Sequence, residues 1–175
     1  TRFVSDRDWL VCSKFEYPVY HHVDGIGTKA IYHWRAKSFY AAVRDALAMN
    51  LNDLAMMRAT PYAITDHVFL PEDDHYAFVE IVRFLVRECR IRDIAIAGGE
   101  SAVHDTQKGM EISISMCGFV ETAKKNICRA GDLIIGIESN GLHSNGFTKI
   151  RELFGETSRI ECIMPTFVYS DILNV

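Results

Sequence analysis

Between Phe78 and Cys89 apolar residues recur at helical spacing, with Phe78, Ile81, Val82, Leu85, Val86 and Cys89 on one stripe. Ahead of them stands Pro71-Glu72-Asp73-Asp74, a proline followed by acids that suit the positive end of a helix dipole, so a helix is predicted from this point. A second helix is predicted over 39–49, with Ser38 as N-cap and Phe39, Val43 and Leu47 on one face, leaving Asn52 and Asp53 near its end. The alternation of Ile112, Ile114 and Met116 predicts a strand over 111–120. Strand composition also marks 17–23, 30–34, 93–97, 133–137 and, after the break expected at Pro61, 62–70. A last helix is predicted over 147–154, closed by Gly155.

Strands and helices thus alternate, which predicts an α/β or α+β domain with a mixed sheet layered against helices. The expected boundaries are one domain over 1–163 and the beginning of another over 164–175. Hydrophobic residues make up 49% of the 175, enough for a real core and against disorder. A net charge of −4 argues against nucleic acid as partner, because counterion release needs clustered Lys and Arg. No apolar run reaches the ~20 residues of a bilayer span, so a soluble, cytoplasmic protein is expected, without a membrane partner. Five cysteines without Cys-x-x-Cys spacing indicate neither a disulfide framework nor a zinc site.

Three glycine-punctuated segments carry the candidate chemistry. In Asp24-Gly25-Ile26-Gly27-Thr28-Lys29 the glycines let backbone amides approach phosphate oxygens, and Lys29 adds a point charge. A tight hairpin turn fits the same residues. Asn52-Asp53 and Gly98-Gly99-Glu100 offer further hard oxygen ligands, and magnesium suits a few carboxylates plus phosphate oxygens and water. Each acid taken alone reads first as a cap or a solvated turn residue. Ser139-Asn140-Gly141-Leu142-His143-Ser144-Asn145-Gly146 opens the last helix and could hold an anion, with His143 able to bind phosphate or move a proton. The adjacent His21 and His22, on a strand, point to opposite faces and do not suggest a shared metal.

Taken in order, these segments resemble the aminoimidazole ribonucleotide synthetase (phosphoribosylformylglycinamidine cyclo-ligase) family. The resemblance rests on the 24–29 loop, on Ala48-Met49 and Asn52-Asp53-Leu54, on Gly98-Gly99-Glu100, on Cys117-Gly118-Phe119, and on the run from Ser139 to Phe147. It implies an ATP-dependent ring closure of formylglycinamidine ribonucleotide, a phosphorylated small-molecule substrate, and a homodimer whose amino-terminal domains pair into a shared barrel. Carried over, it makes Asp24, Asp53 and Glu100 magnesium ligands. Gly25, Gly27, Thr28 and Lys29 become a phosphate cradle, with Asn52, Gly98 and Gly99 beside the cofactor, and His143, Ser144 and Asn145 line the nucleotide end. His143 and Asp53 are the expected catalytic residues. The chain departs from the family at Arg58, where the family favours glycine, and at Ser101 to Thr106, where a Met-Pro-Gly stretch is usual. The alternatives are a non-catalytic nucleotide-binding and dimerisation module of the same fold, a formylglycinamidine synthetase, which needs an ammonia source, or a selenophosphate synthetase, for which Cys12 is the only candidate thiol.

Overall fold

The computed structural model describes residues 3–6, 9–12, 17–122, 125, 127–156 and 159–173. Two short strands, β1 (Phe3–Asp6) and β2 (Trp9–Cys12), form an antiparallel pair; the side chain of Cys12 lies outside the described residues. The main body runs β3 (Val19–Gly25), α1 (Ala30–Ala36), α2 (Phe39–Met56), β4 (Thr60–Leu70), α3 (His75–Ile91), β5 (Ala95–Val103) and β6 (Glu111–Phe119). Beyond these come α4 (Phe147–Phe154) and the one-turn α5 (Ser170–Leu173).

Four strands make one mixed sheet in the order β3-β6-β4-β5, with β4 and β5 parallel and the other pairs antiparallel. The parallel pair is bridged by α3, as parallel strands require a crossover. β6 alternates strictly between buried and half-buried residues, so Ile112, Ile114 and Met116 face the helices. They meet Val43, Leu47 and Leu54 of α2 and Ile81, Leu85 and Cys89 of α3 in one core. On the opposite sheet face His21, Val23, Thr65 and His67 are exposed.

Two helix boundaries differ from expectation. α2 continues seven residues past Met49, because Leu51, Leu54 and Ala55 carry its apolar stripe through the Asn-rich stretch that reads as a stop. It closes through Arg58 at φ 55, where the amide of Ala59 donates to the carbonyl of Leu54 at 2.9 Å. That left-handed backbone is what a glycine at this position would adopt freely. α3 starts one turn later than its acidic run suggests, with Asp74 as N-cap accepting from the Ala77 amide at 2.9 Å.

Two predicted strands are not strands. Residues 30–34 lie in α1, where Ala30, Tyr32, His33 and Trp34 are buried by tertiary packing that overrides their β-rich composition. Leu133, Ile134 and Ile135 are 93%, 98% and 87% exposed and pair with no strand among the described residues. Pro61 does not end an element but occupies the second position of β4, beside the register irregularity between Pro61 and Ala63, a place where a residue without an N–H is tolerated. Residues 164–169 run along α2, with Thr166 fully buried and Val168 part of the main core.

Candidate functional site

The loop after β3 is fastened from below and open above. Ile26 is fully buried and its amide donates to the Ile112 carbonyl at 3.1 Å. Gly25 lies against β6 so closely that a Cβ would sit 2.8 Å from the Ile112 carbonyl oxygen, and Gly27 has φ 53. Asp24, Gly27 and Thr28 are left exposed between these anchors. One Asp24 oxygen, Oδ1, accepts the Gly25 amide at 2.7 Å.

Asp53 reaches the same surface from α2 through a relay. His22 Nε2 lies 2.9 Å from Asp53 Oδ2, and its Nδ1 lies 3.0 Å from Asn50 Oδ1. The fully buried Asn50 donates its amide to the carbonyls of Asp24 and Ala46 at 3.2 and 3.0 Å. The relay sets the end of β3 against α2 and leaves the two carboxylates exposed, each with one oxygen outside these bonds. Tyr20, His22 and Asp24 share one face of the strand by period-two spacing, which is the one sequence signal that could have singled out His22.

Lys29 is placed differently from a phosphate ligand. Its Nζ is fully buried, 2.8 Å from Asp45 Oδ2 and donating to the Met164 carbonyl at 2.6 Å. Asp45 also takes His33 Nε2 at 2.7 Å on Oδ2, and the amide and hydroxyl of Thr166 at 2.8 and 2.7 Å on Oδ1. Burial opposes the charge on Asp45, but the His33 hydrogen bond, the Lys29 charge and the Thr166 amide outweigh it and hold the carboxyl down to about 2. Burial pushes the Lys29 and His33 values down, against the pull of Asp45.

The 139–146 loop sits beside Gly27, with the Ser144 carbonyl oxygen 3.8 Å from where a Gly27 Cβ would stand. His143 Nε2 lies 3.2 Å from both Ser139 Oγ and the Tyr169 hydroxyl. Ser144 is buried, its Oγ without a hydrogen-bond partner among the described residues, while Asn145 is exposed. Asn52 donates to the Phe167 carbonyl at 2.9 Å and accepts the Tyr169 amide at 2.7 Å, so it clamps 167–169 to α2. Residues 24–29, 139–146 and 164–169 are thereby tied into one assembly.

Gly98, Gly99 and Glu100 stand apart, on β5, separated from β3 by the two strands β6 and β4. Gly99 is required by a close approach, since a Cβ there would lie 2.6 Å from Asp66 Oδ1. Glu100 registers with His67. Among the described residues no group of three or more His, Cys, Asp or Glu side chains lies close enough to hold a metal ion, so Glu100 does not join Asp24 and Asp53 within one chain. No helix among them is long and apolar enough to cross a membrane.

Comparison with known proteins gives this arrangement relatives. Residues 8–120 match the AIR synthase related protein, N-terminal domain, family. The chain is 31% identical over 156 residues to a phosphoribosylformylglycinamidine cyclo-ligase of Saccharolobus solfataricus, covering 85% of this chain and 48% of that protein. It is 40% identical over 135 residues to the cyclo-ligase of Thermococcus kodakarensis, covering 74% and 40%. The chain thus spans about half the length of these curated relatives or less. Among solved structures, hydrogenase maturation protein HypE in complex with ATP superposes with a TM-score of 0.51 at 16% identity, over 66% of this chain and 34% of that one. That likeness concerns the fold.

Proposed function

Because this chain belongs to the AIR synthase related family through its N-terminal domain, we propose that it is the nucleotide-binding half of a phosphoribosylformylglycinamidine cyclo-ligase. The observation that carries the reading is the His22–Asn50 relay, which fixes Asp24 and Asp53 on one surface beside the exposed Gly27 and Thr28. The relatives' shared name supplies the reaction class, a cyclo-ligation of phosphoribosylformylglycinamidine, and the family resemblance its proposed course. In it ATP activates the amide oxygen of formylglycinamidine ribonucleotide, a nitrogen of the same molecule attacks the activated carbon, and phosphate departs.

Asp24 and Asp53 suit magnesium: both are exposed hard-oxygen donors, each with one oxygen outside the bonds described, and the ion completes its shell from phosphate and water. Bound there, magnesium would neutralise charge on the transferring phosphoryl group. The chain's own work is positioning. Gly27 and Thr28 present backbone to the phosphates, and His143, held by Ser139 and Tyr169, faces the ligand with Asn145. The exposed sheet face around Val23 is the surface on which two copies pair, and Glu100 acts from there across the dimer. The setting is the cytoplasm.

Calorimetric titration with magnesium and ATP tests this reading. Binding is expected for the native chain and should disappear in Asp24→Ala and Asp53→Ala; unchanged affinity in both variants would refute it.

A further inference from the structure

Burial of Lys29 leaves the phosphate loop without the cation its sequence displays. A cavity of about 410 Å³ opens directly against that loop, walled on one side by Gly27, Thr28 and Ile31 and on the other by Gln107, Lys108 and Glu111. We propose that Lys108 is the cation that faces the ligand's phosphates in this cavity, taking the role that Lys29 cannot fill. The proposal rests on the nucleotide-binding reading above and names the residue that sets affinity for the polyphosphate part.

Three observations support it. Lys108 is exposed, and among the described residues it makes no hydrogen bond or ion pair, unlike Lys29, whose amine is committed to Asp45 and Met164. Its position is fixed by Gly109, which lies so close to α1 that a Cβ would meet the Ile31 Cα at 2.8 Å. The turn carrying Lys108 is therefore pinned to the helix that follows the loop. Finally, the charges on the walls are Lys108 and Glu111, and Glu111 Oε1 already accepts the Ser113 hydroxyl at 3.3 Å. Without Lys108 the cavity would be net negative and would repel an anion. Arg151, which reaches the same loop, is turned to the Thr28 carbonyl at 3.4 Å.

The test uses the full chain, with inorganic tripolyphosphate and magnesium-ATP as probes. Native protein is expected to bind both. Lys108→Ala should weaken tripolyphosphate by about tenfold, the scale of one charge-assisted contact, and Lys108→Arg should restore it. Gly109→Ala keeps the charge but displaces the turn, and should weaken binding in the same direction. Native binding with unchanged affinity in Lys108→Ala would overturn the assignment while leaving the nucleotide reading intact. Loss in Lys108→Ala without loss in Gly109→Ala would reduce Lys108 to a diffuse surface charge and likewise overturn the fixed site. Failure of the native chain to bind either probe would bring down the nucleotide reading and this one together.

Discussion

Asp45 accepts four donors from three residues distant in the chain, the full capacity of a carboxylate. None of this shows in the sequence, where Asp45 sits inside a helical pattern and Lys29 ends a glycine loop. Lys29 was therefore legible as a phosphate ligand, and only the fold reveals that its amine is consumed in the core. A carboxyl held to about 2 against an ordinary 3.8 stabilises the fold above pH ~4, and that stabilisation is lost as pH falls from ~4 toward ~2. The shift corresponds to about 2 kcal/mol, read as the pH dependence of urea unfolding. Asp45→Asn should remove this acid-dependent share. It should also cost about 3–5 kcal/mol at neutral pH, because it leaves the buried Lys29 ammonium unpaired. An Asn variant as stable as the native chain would show that the ion pair is dispensable.

At the scale of elements, periodicity was legible wherever one face is buried: α3 and β6 follow from spacing alone, since each has a core side and a solvent side. It misled at α1 and at 133–137. The same β-rich composition is packed into a helix in the first case and left exposed in the second, because pairing partners and not composition decide a strand. The end of α2 was read too early, because its stop depends on backbone conformation at Arg58. Asp93 ends α3 at φ 55, so Asp93→Gly should relieve a left-handed non-glycine residue by roughly 0.5–1 kcal/mol and raise Tm by about 2–3 °C in calorimetry. A lowered Tm would mean that the Asp93 side chain stabilises the turn. Asn52, legible only as a cofactor neighbour, is the clamp on 167–169. Asn52→Ala should therefore speed amide hydrogen exchange at Tyr169 while leaving β6 protected; slow exchange at Tyr169 would place the hold elsewhere.

For the whole molecule, five short motifs in order carried the family, and four of them, from Asp24 to Phe119, fall within the match over 8–120. Their meeting point was only partly legible. Sequence order cannot say that Asp53 is tied through His22 and Asn50 to the end of β3 that carries Asp24, nor that two strands separate Glu100 from β3; the relay and the strand order do. The proposed dimer would cover the sheet face on which His21, Val23, Thr65 and His67 are exposed. Sedimentation of the 19.9 kDa chain should give twice that mass, and Val23→Lys should return it to monomer without unfolding it. A native monomer would remove the sheet face as an interface. The most direct test of the central claim is a crystal structure with magnesium and a non-hydrolysable ATP analogue. The account predicts one ion bridging the Asp24 and Asp53 carboxylates and the triphosphate, with the phosphates against Gly27 and Thr28; a triphosphate bound with neither carboxylate on its metal would contradict it.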